Sequence, residues 1–274
     1  MITNALAQNG AKVFITGRRP DALSRVEHLY SPTKGPGKII PLPGDISQKS
    51  ETVRLADEVA RRSPNGINIL VNNAGIARDD NTRFSQNKPP KMDDATSISE
   101  HFLRSEPQQW EDTFRTNVTA GYFMSMAFLP LLAKGQEVSP LKEEGITSSV
   151  VNVSSISGSM KTSSGGQFSY AASKAAFTHL TRMLATTFAQ TKVRVNGIAP
   201  GIFPSEMTSP SGSSDSDGKT KDLNPESSNP AGRKGREQDM AATILFLAGK
   251  GGVFYNQQVM FPDGGNLTVT PAQQ

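Results

Sequence analysis

Short strand-like runs alternate with longer helix-like runs along most of the sequence, and this alternation restricts the possible folds more than any other feature. Strands are predicted where β-branched and aromatic residues cluster, at residues 11–16, 38–47, 67–75, 148–155, 193–200 and 257–265. Helices are predicted between them, from about residue 21 and over residues 50–62, 110–133, 170–190 and 237–248. Parallel strands need helical crossovers of this kind, which cover both faces of the sheet. The sequence therefore predicts an α/β fold built on a parallel sheet.

The chain has 274 residues, which is enough for one large domain of this class. We interpret residues 1–274 as a single domain with flexible insertions near residues 78–107 and 209–235. The first insertion is polar, and the second is rich in Ser, Asp, Gly and Pro. Ligands bind beyond the carboxyl ends of strands in such folds, so the second insertion is interpreted either as a mobile lid or as a tolerated insertion.

Composition argues against several classes of protein. The Lys and Arg residues are scattered and the net charge is only +4, so a nucleic-acid partner is not expected. No apolar run approaches the roughly 18 residues that span a membrane, and the first residues do not resemble a signal peptide. The absence of cysteine excludes disulfides and thiolate catalysis. We therefore expect a cytoplasmic protein without a membrane partner.

Two groups of conspicuous side chains are given ordinary structural interpretations. His28, His101 and His179 are scattered, so no metal site is predicted and these residues are expected in solvent or on helix faces. Trp110 and Phe114 are four residues apart and are expected to pack in the core.

The strongest chemical signal is Tyr170-Ala-Ala-Ser-Lys174. At the start of a helix, this spacing places Tyr170 and Lys174 on one face, one turn apart. A phenol has a pKa near 10, and a nearby ammonium stabilises the phenolate and lowers that pKa, which would make Tyr170 a usable acid or base. Taken alone, the pair is weak evidence for such a site, because this spacing is more often that of two surface residues on a helix.

The motifs around this pair occur in a fixed order. They are Asn72-Asn73-Ala74-Gly75, Asn117 in TNVTAGYF, SSVVNVSSISG, Asn196 to Gly201, and Asp263-Gly264-Gly265. This ordered set resembles the short-chain dehydrogenase/reductase family over nearly the whole chain. The resemblance implies a Rossmann-type doubly wound parallel sheet that holds a nicotinamide dinucleotide, and an enzyme that reduces a carbonyl or oxidises an alcohol.

The resemblance also implies roles for individual residues. Tyr170 would donate the proton, and Lys174 would tune its pKa and bond the nicotinamide ribose. Ser155 would hydrogen-bond the substrate oxygen, and it is preferred over Ser154 and Ser157 because Gly158 gives the serine-x-x-glycine spacing of the family. Asn117 would hold the water through which the proton is replaced. The implied cofactor contacts are Asp45, Asn73, Gly75, Tyr170, Lys174, Pro200, Gly201 and Ser205, the last standing where the family usually has a threonine.

The cofactor can be argued from charge. A dinucleotide fold that selects NAD usually ends its second strand with an acidic residue for the ribose 2′-hydroxyl. Here that place reads Thr16-Gly17-Arg18-Arg19, without a carboxylate. Two guanidinium groups can bind a 2′-phosphate through charge-assisted hydrogen bonds, so we predict NADP(H). The alternative is that Arg18 and Arg19 only cap a solvated turn.

The start of the sequence departs from the family. Ala5, Leu6 and Ala7 favour a helix that stops at Asn9-Gly10, whereas the family begins with a strand and a glycine-rich turn for the pyrophosphate. Gly10 and Gly17 do not replace that turn. The expected fold is therefore a Rossmann-type sheet of order 3-2-1-4-5-6 that lacks its central first strand. Our favoured explanation is a mis-called start codon or clipped gene model, against a degenerate paralogue or a real short form.

These observations predict an NADPH-dependent carbonyl reductase with a small-molecule ketone substrate. A narrower likeness, carried by HLTRMLA and VNGIAPGIFPSEMT, is to 3-oxoacyl-carrier-protein reductases of the rhamnolipid-pathway type, which implies a 3-oxoacyl or polyketide-like intermediate of a biosynthetic pathway. Family likeness further implies a homodimer or homotetramer. The alternative is a catalytically inactive Rossmann-fold binding or scaffolding protein that has lost its pyrophosphate site.

Overall fold

Helices connect consecutive strands throughout the structure, a computed structural model that describes residues 1–138, 141–205 and 229–270. The strands are β1 (Lys12–Gly17), β2 (Lys38–Pro43), β3 (Ile69–Asn72), β4 (Ser149–Val153), β5 (Arg194–Ile198) and β6 (Val259–Met260). The helices are α1 (Ile2–Gln8), α2 (Pro20–Tyr30), α3 (Lys49–Arg62), α4 (Ala95–Phe102), α5 (Pro107–Phe114), α6 (Ala120–Gly135), α7 (Phe168–Phe188), α8 (Glu237–Ala248) and α9 (Asn266–Val269). A π-helical turn, Arg115–Thr119, joins α5 to α6.

The strands pair in parallel but form two separate sheets within the part of the chain that the structure describes. One sheet contains β1 and β2, and the other has the order β3-β4-β5-β6. Every residue of β4 and β5 is buried, whereas most residues of β1 and half of those of β3 are only partly buried. This arrangement is the doubly wound order without its central first strand, so the predicted fold class is confirmed.

Helices cover the sheet on both faces because successive strand residues point to opposite sides. Val150 and Val195, which are neighbours in register, pack on one face with apolar residues of α3, α6 and α7. Val151 and Ile198 pack on the other face with residues of α1 and α8. The α1 helix ends at the predicted stop, where Gly10 has φ +88°.

The segment 78–107 contains regular structure that was not predicted from the sequence. It includes α4, whose N-terminus is capped by Asp94 through the backbone N atoms of Thr96 and Ser97, while the flexibility of this insertion stays a prediction. The Thr82 hydroxyl also donates to the carbonyl of Gly166, 2.9 Å away. This segment therefore has contacts with residues far along the chain. Residues 209–228 of the other predicted insertion, and with them most of the predicted lid, lie outside the described residues.

The structure contradicts the core position expected for Trp110, and it places His101 on a helix as expected, in α4, but buried. His101 is buried, and its Nε2 forms a 2.8 Å hydrogen bond with the Thr82 carbonyl oxygen. Trp110 is partly exposed, stacks on Phe114, and donates from Nε1 to the Ser105 hydroxyl at 3.0 Å. His101 and Trp110 thus bond residues of the 78–107 segment, Thr82 and Ser105 respectively. The local sequence pattern did not predict the fold of this segment. Within the described ranges, no helix is long and apolar enough to cross a membrane.

Candidate active site

The chemically important side chains gather where the parallel strands end. Ser155 follows β4, Asn73 and Gly75 follow β3, and Pro200 follows β5. In an open α/β sheet, the carboxyl ends of the strands form the crevice in which ligands bind. The first turn of α7 brings Tyr170 and Lys174 to the same edge.

Lys174 is almost completely buried, with 3% of its surface exposed, and its Nζ donates to the carbonyl oxygen of Val153 at 2.9 Å. Burial lowers the pKa of Lys174 to about 8, because the charged form loses hydration. The ammonium lies 5.8 Å from the centre of the Tyr170 ring. Because its pKa is about 8, Lys174 is mostly cationic at neutral pH. Its ammonium lies on the same face of α7 as Tyr170.

Tyr170 differs from the sequence expectation in one respect. We expected the ammonium of Lys174 to lower the pKa of Tyr170, but burial of the phenol raises that pKa above its ordinary value. The opposing influence is a hydrogen bond with Ser155, which lowers the pKa. Tyr170 is consequently held in its protonated form at neutral pH, which is the form that a proton donor needs.

The three candidate serines have different surroundings. Ser155 lies close enough to the Tyr170 phenol to lower its pKa, and its Oγ accepts from the backbone N of Ser157 at 3.2 Å. Ser154 is buried and donates to the carbonyl of Lys174 at 2.8 Å, and the Ser157 hydroxyl accepts from the Ser164 hydroxyl at 2.8 Å. The structure thus brings Ser155, and neither of its neighbours, to the phenol.

Gly158 permits the turn that carries Ser155 to contact α7 closely. A Cβ at position 158 would lie 2.6 Å from the backbone N of Ala175 and from the carbonyl carbon of Lys174. Such contacts are too short for any side chain, so glycine is required by proximity. The serine-x-x-glycine spacing therefore has a structural cause here.

Asn117 is buried in the π-helical turn and holds neighbouring backbone. Its Oδ1 accepts from the backbone N of Ile76, and its Nδ2 donates to the carbonyl of Ile76, both at 2.8 Å. Nδ2 also donates to the Ser173 hydroxyl at 2.9 Å. Inserted π-helical turns are frequent at functional sites. The side chain connects the loop after β3 to α7, and the water-holding role implied by the family stays a prediction.

The residues predicted to bind the cofactor are distributed along the same edge. Arg18 and Arg19 are exposed at the end of β1, Asp45 follows β2, and Asn73 is exposed after β3. A Cβ on Gly75 would lie 3.2 Å from Lys174 Nζ and 3.3 Å from Asn117 Oδ1. Because glycine has no side chain, the backbone at this position lies next to both groups. Gly10, in contrast, precedes β1 and lies at the opposite edge.

The last predicted cofactor residues lie after β5. The carbonyl of Pro200 accepts from the backbone N of Ile156, and the backbone N of Gly201 donates to the carbonyl of Pro262, both at 3.1 Å. Ser205 is partly buried at the end of a described range. These contacts fix the loop beside the Ser155 turn.

Two structural features of the site were missed by sequence reasoning. Asn72 is buried and donates to Asn152 Oδ1 at 2.9 Å and to the Ser125 hydroxyl at 3.0 Å, which connects β3, β4 and α6. Only strand alternation, which points Asn72 inward and Asn73 outward, could have distinguished the two amides. The second feature is Asp79, a buried carboxylate at the N-terminus of α7, which had no local signal.

An apolar cavity of about 240 Å³ lies beside the start of α7. Its large apolar side chains are Phe102, Leu103, Trp110 and Phe168, and Asp79 also contributes to its lining. Among the residues that the structure places, no group of three or more His, Asp or Glu side chains could hold a metal ion.

Comparisons with known proteins agree with this geometry. A family model described as Enoyl-(Acyl carrier protein) reductase matches residues 1–266. The short-chain dehydrogenase/reductase PhomF′ of Diaporthe leptostromiformis is 37% identical over 279 residues, which cover 99% of this chain and 88% of the relative. The chain belongs to the short-chain dehydrogenase/reductase family. The resemblance that the motifs indicated is therefore confirmed, and with it membership of an oxidoreductase family that uses nicotinamide cofactors.

Two further similarities concern a bacterial member of the family. The rhamnolipids biosynthesis 3-oxoacyl-[acyl-carrier-protein] reductase of Pseudomonas aeruginosa is 31% identical over 266 residues, which cover 97% of this chain and 90% of the relative. A solved structure, the Pseudomonas aeruginosa RhlG/NADP active-site complex, aligns with a TM-score of 0.71 and 30% identity over 96% of this chain and 90% of that chain. The narrower likeness found in the sequence is thus supported.

Proposed function

We propose that the protein is an NADPH-dependent carbonyl reductase whose proton donor is Tyr170. The observation that carries this proposal is the arrangement of three side chains: Ser155 lies close enough to the Tyr170 phenol to lower its pKa, and the buried Lys174 lies one helical turn away. Two neighbouring hydroxyls can both bind a ketone oxygen. Tyr170 then gives its proton to that oxygen as the carbonyl carbon accepts a hydride, and the product is a secondary alcohol. NADPH, when bound, would supply the hydride.

The residues at the sheet edge suit a dinucleotide that carries a 2′-phosphate. Arg18 and Arg19 are exposed where β1 ends, and residues 16–19 include no carboxylate. The backbone at Gly75 leaves room beside Lys174, which would bond the nicotinamide ribose. Asp45, Asn73, Pro200, Gly201 and Ser205 would complete the contacts. The NADP complex of the Pseudomonas aeruginosa relative supports this choice.

The proposed substrate class is a ketone on an acyl or polyketide-like chain. This class is supported by the likeness to the 3-oxoacyl-carrier-protein reductase. A homodimer or homotetramer is also proposed, and the partly exposed Tyr122 of α6 and Met183 of α7 support it, because they place apolar surface on the outer helices.

A second candidate is a Rossmann-fold binding protein without catalytic activity. One observation favours it: within the described residues, no strand joins the sheet of β1 and β2 to the sheet of β3, β4, β5 and β6. Titration of the purified protein with NADPH, followed by its fluorescence, separates the candidates when combined with reduction of acetoacetyl-coenzyme A. NADPH binding with turnover supports the reductase, whereas the absence of both NADPH binding and turnover supports the second candidate.

The cofactor choice is tested by replacing both Arg18 and Arg19 with Ala. Loss of charge-assisted contacts to a phosphate is expected to raise the Kd for NADPH by about 10- to 100-fold, while the Kd for NADH changes little. Arg25→Ala, an exposed charge on α2, is the matched control and should leave both constants unchanged. Equal weakening of NADPH and NADH would contradict the proposed role.

A further inference from the structure

The first turn of α7 is capped by a carboxylate from a distant part of the chain. Asp79 Oδ1 accepts from the backbone N of Ser169 at 3.0 Å, and Oδ2 accepts from the backbone N of Tyr170 at 3.2 Å. Gln167, which precedes the helix, forms no side-chain cap. Because the first N–H groups of a helix have no partner within it, Asp79 supplies acceptors that the helix itself lacks.

The carboxylate is held rigidly. Asp79 is 2% exposed, and its carbonyl accepts from the backbone N atoms of Thr82 and Arg83. The same turn is attached to the loop before α7, because Thr82 bonds the Gly166 carbonyl at 2.9 Å. Because the backbone of Asp79 is held by these hydrogen bonds, the position of its carboxylate helps to determine the position of the first turn of α7.

A second contact joins the same segment to α7. Ile76, three residues before Asp79, is bonded through its backbone to Asn117, and Asn117 also bonds the hydroxyl of Ser173. The Ser173 hydroxyl in turn donates to the carbonyl of Tyr170 at 2.7 Å. Asp79 thus bonds the backbone N–H of Tyr170 directly, and Ile76 is connected to the Tyr170 carbonyl through the side chains of Asn117 and Ser173.

The negative charge of Asp79 also favours its position at the N-terminus of α7. The N-terminus of a helix carries a partial positive charge, so a carboxylate there is stabilised, and α7 is 21 residues long. We propose that Asp79 is a positioning residue that fixes the backbone of Tyr170 and thereby aligns its phenol with Ser155. The inference rests on the proposed function, because alignment matters only if the phenol donates a proton.

The test compares Asp79→Asn with Asp80→Asn, which removes the same charge from the next residue. Asp80 is partly exposed and pairs with Arg83 at 3.4 Å, away from α7. In single-turnover reduction of acetoacetyl-coenzyme A with saturating NADPH, Asp79→Asn is expected to slow the reaction by about 10- to 100-fold, because small displacements of a reacting group are costly. The KM for NADPH should change by less than about threefold, and Asp80→Asn should match the wild type.

Two further measurements separate positioning from a general structural role. Adding Asp79→Asn to Tyr170→Phe should slow the reaction by less than about twofold, since the group being aligned is then absent. Amide hydrogen exchange at Ser169 and Tyr170 should accelerate in Asp79→Asn, while exchange at Leu184 in the same helix stays unchanged.

Equal slowing by Asp79→Asn with and without Tyr170→Phe would overturn the proposal, as would unchanged exchange at Ser169 and Tyr170. If Asp79→Asn does not fold, Asp79→Glu, which keeps the charge on a longer stem, takes its place in the same comparisons. If the wild-type protein reduces no ketone, the proposed function is contradicted. The exchange experiment then still tests whether Asp79 caps α7.

Discussion

Replacing Lys174 with Met tests whether the buried ammonium is retained for function at a cost in stability. Burial moves the pKa of Lys174 from 10.5 to about 8, which corresponds to roughly 3 kcal/mol of destabilisation wherever the folded protein is charged. Met has a similar length and no charge to desolvate. The substitution also removes the hydrogen bond to the Val153 carbonyl, a loss of about 1 to 3 kcal/mol.

The two effects have different pH dependences. The folded pKa of Lys174 is below the unfolded value, so the unfolded chain binds more protons between pH 8 and 10.5, and the free energy of unfolding rises with pH across that window. Below pH 8 the penalty is fully present. Lys174→Met is therefore expected to be as stable as the wild type, or up to about 2 kcal/mol more stable, at pH 7. It should become the less stable of the two by pH 10.5.

The assay is urea unfolding of the cofactor-free protein at pH 7, 8.5 and 10, followed by circular dichroism. Lys161→Met, which changes an exposed lysine, is the matched control and should follow the wild type at every pH. Lys174→Met should lose reductase activity, whereas Lys161→Met should keep it. A stability difference between Lys174→Met and the wild type that does not vary with pH would refute the reasoning.

Two other predictions concern stability near the site. The pKa of Asp239 at the start of α8 is lowered to about 2, chiefly by hydrogen bonds from Arg233, so the pair should stabilise the fold above about pH 4 and lose this effect as the pH falls through 2. Asp239→Asn should accordingly lower the free energy of unfolding by about 0.5 to 1 kcal/mol at pH 6, a figure reduced for partial exposure, and equal unfolding midpoints at pH 6 would contradict this. Gly158→Ala should lower the free energy of unfolding by about 1 to 3 kcal/mol and slow reduction, because its Cβ would displace the Ser155 turn from α7; a variant with wild-type melting temperature and rate would show that the contact relaxes freely.

The sheet and its flanking helices could be predicted because their signals are local. Strands such as Ser149–Val153 and Arg194–Ile198 are buried along their whole length, and their valine and isoleucine residues indicate strands despite the polar residues among them. The α8 helix runs over the predicted residues 237–248. Ser155 lies shortly after β4, and Tyr170 and Lys174 share one face of α7 because of their four-residue spacing, so these relative positions were predictable.

The parts that could not be predicted depend on partners distant in sequence. Asp79 and Tyr170 are 91 residues apart, and nothing near Asp79 indicates that its carboxylate caps another helix. Gly165 and Gly166 likewise accept hydrogen bonds from Phe84 and Thr82 of the 78–107 segment. These long-range contacts could not be predicted from the polar composition of the segment. The pKa of Tyr170 depends on burial, which sequence spacing does not give.

The central claim is that the phenol of Tyr170 delivers the proton to the substrate oxygen. Its most direct test is the single-turnover rate of ketone reduction by Tyr170→Phe, measured with NADPH binding as the control. The account predicts a rate at least about 100-fold below the wild type, with NADPH bound equally well. A rate equal to that of the wild type would contradict it.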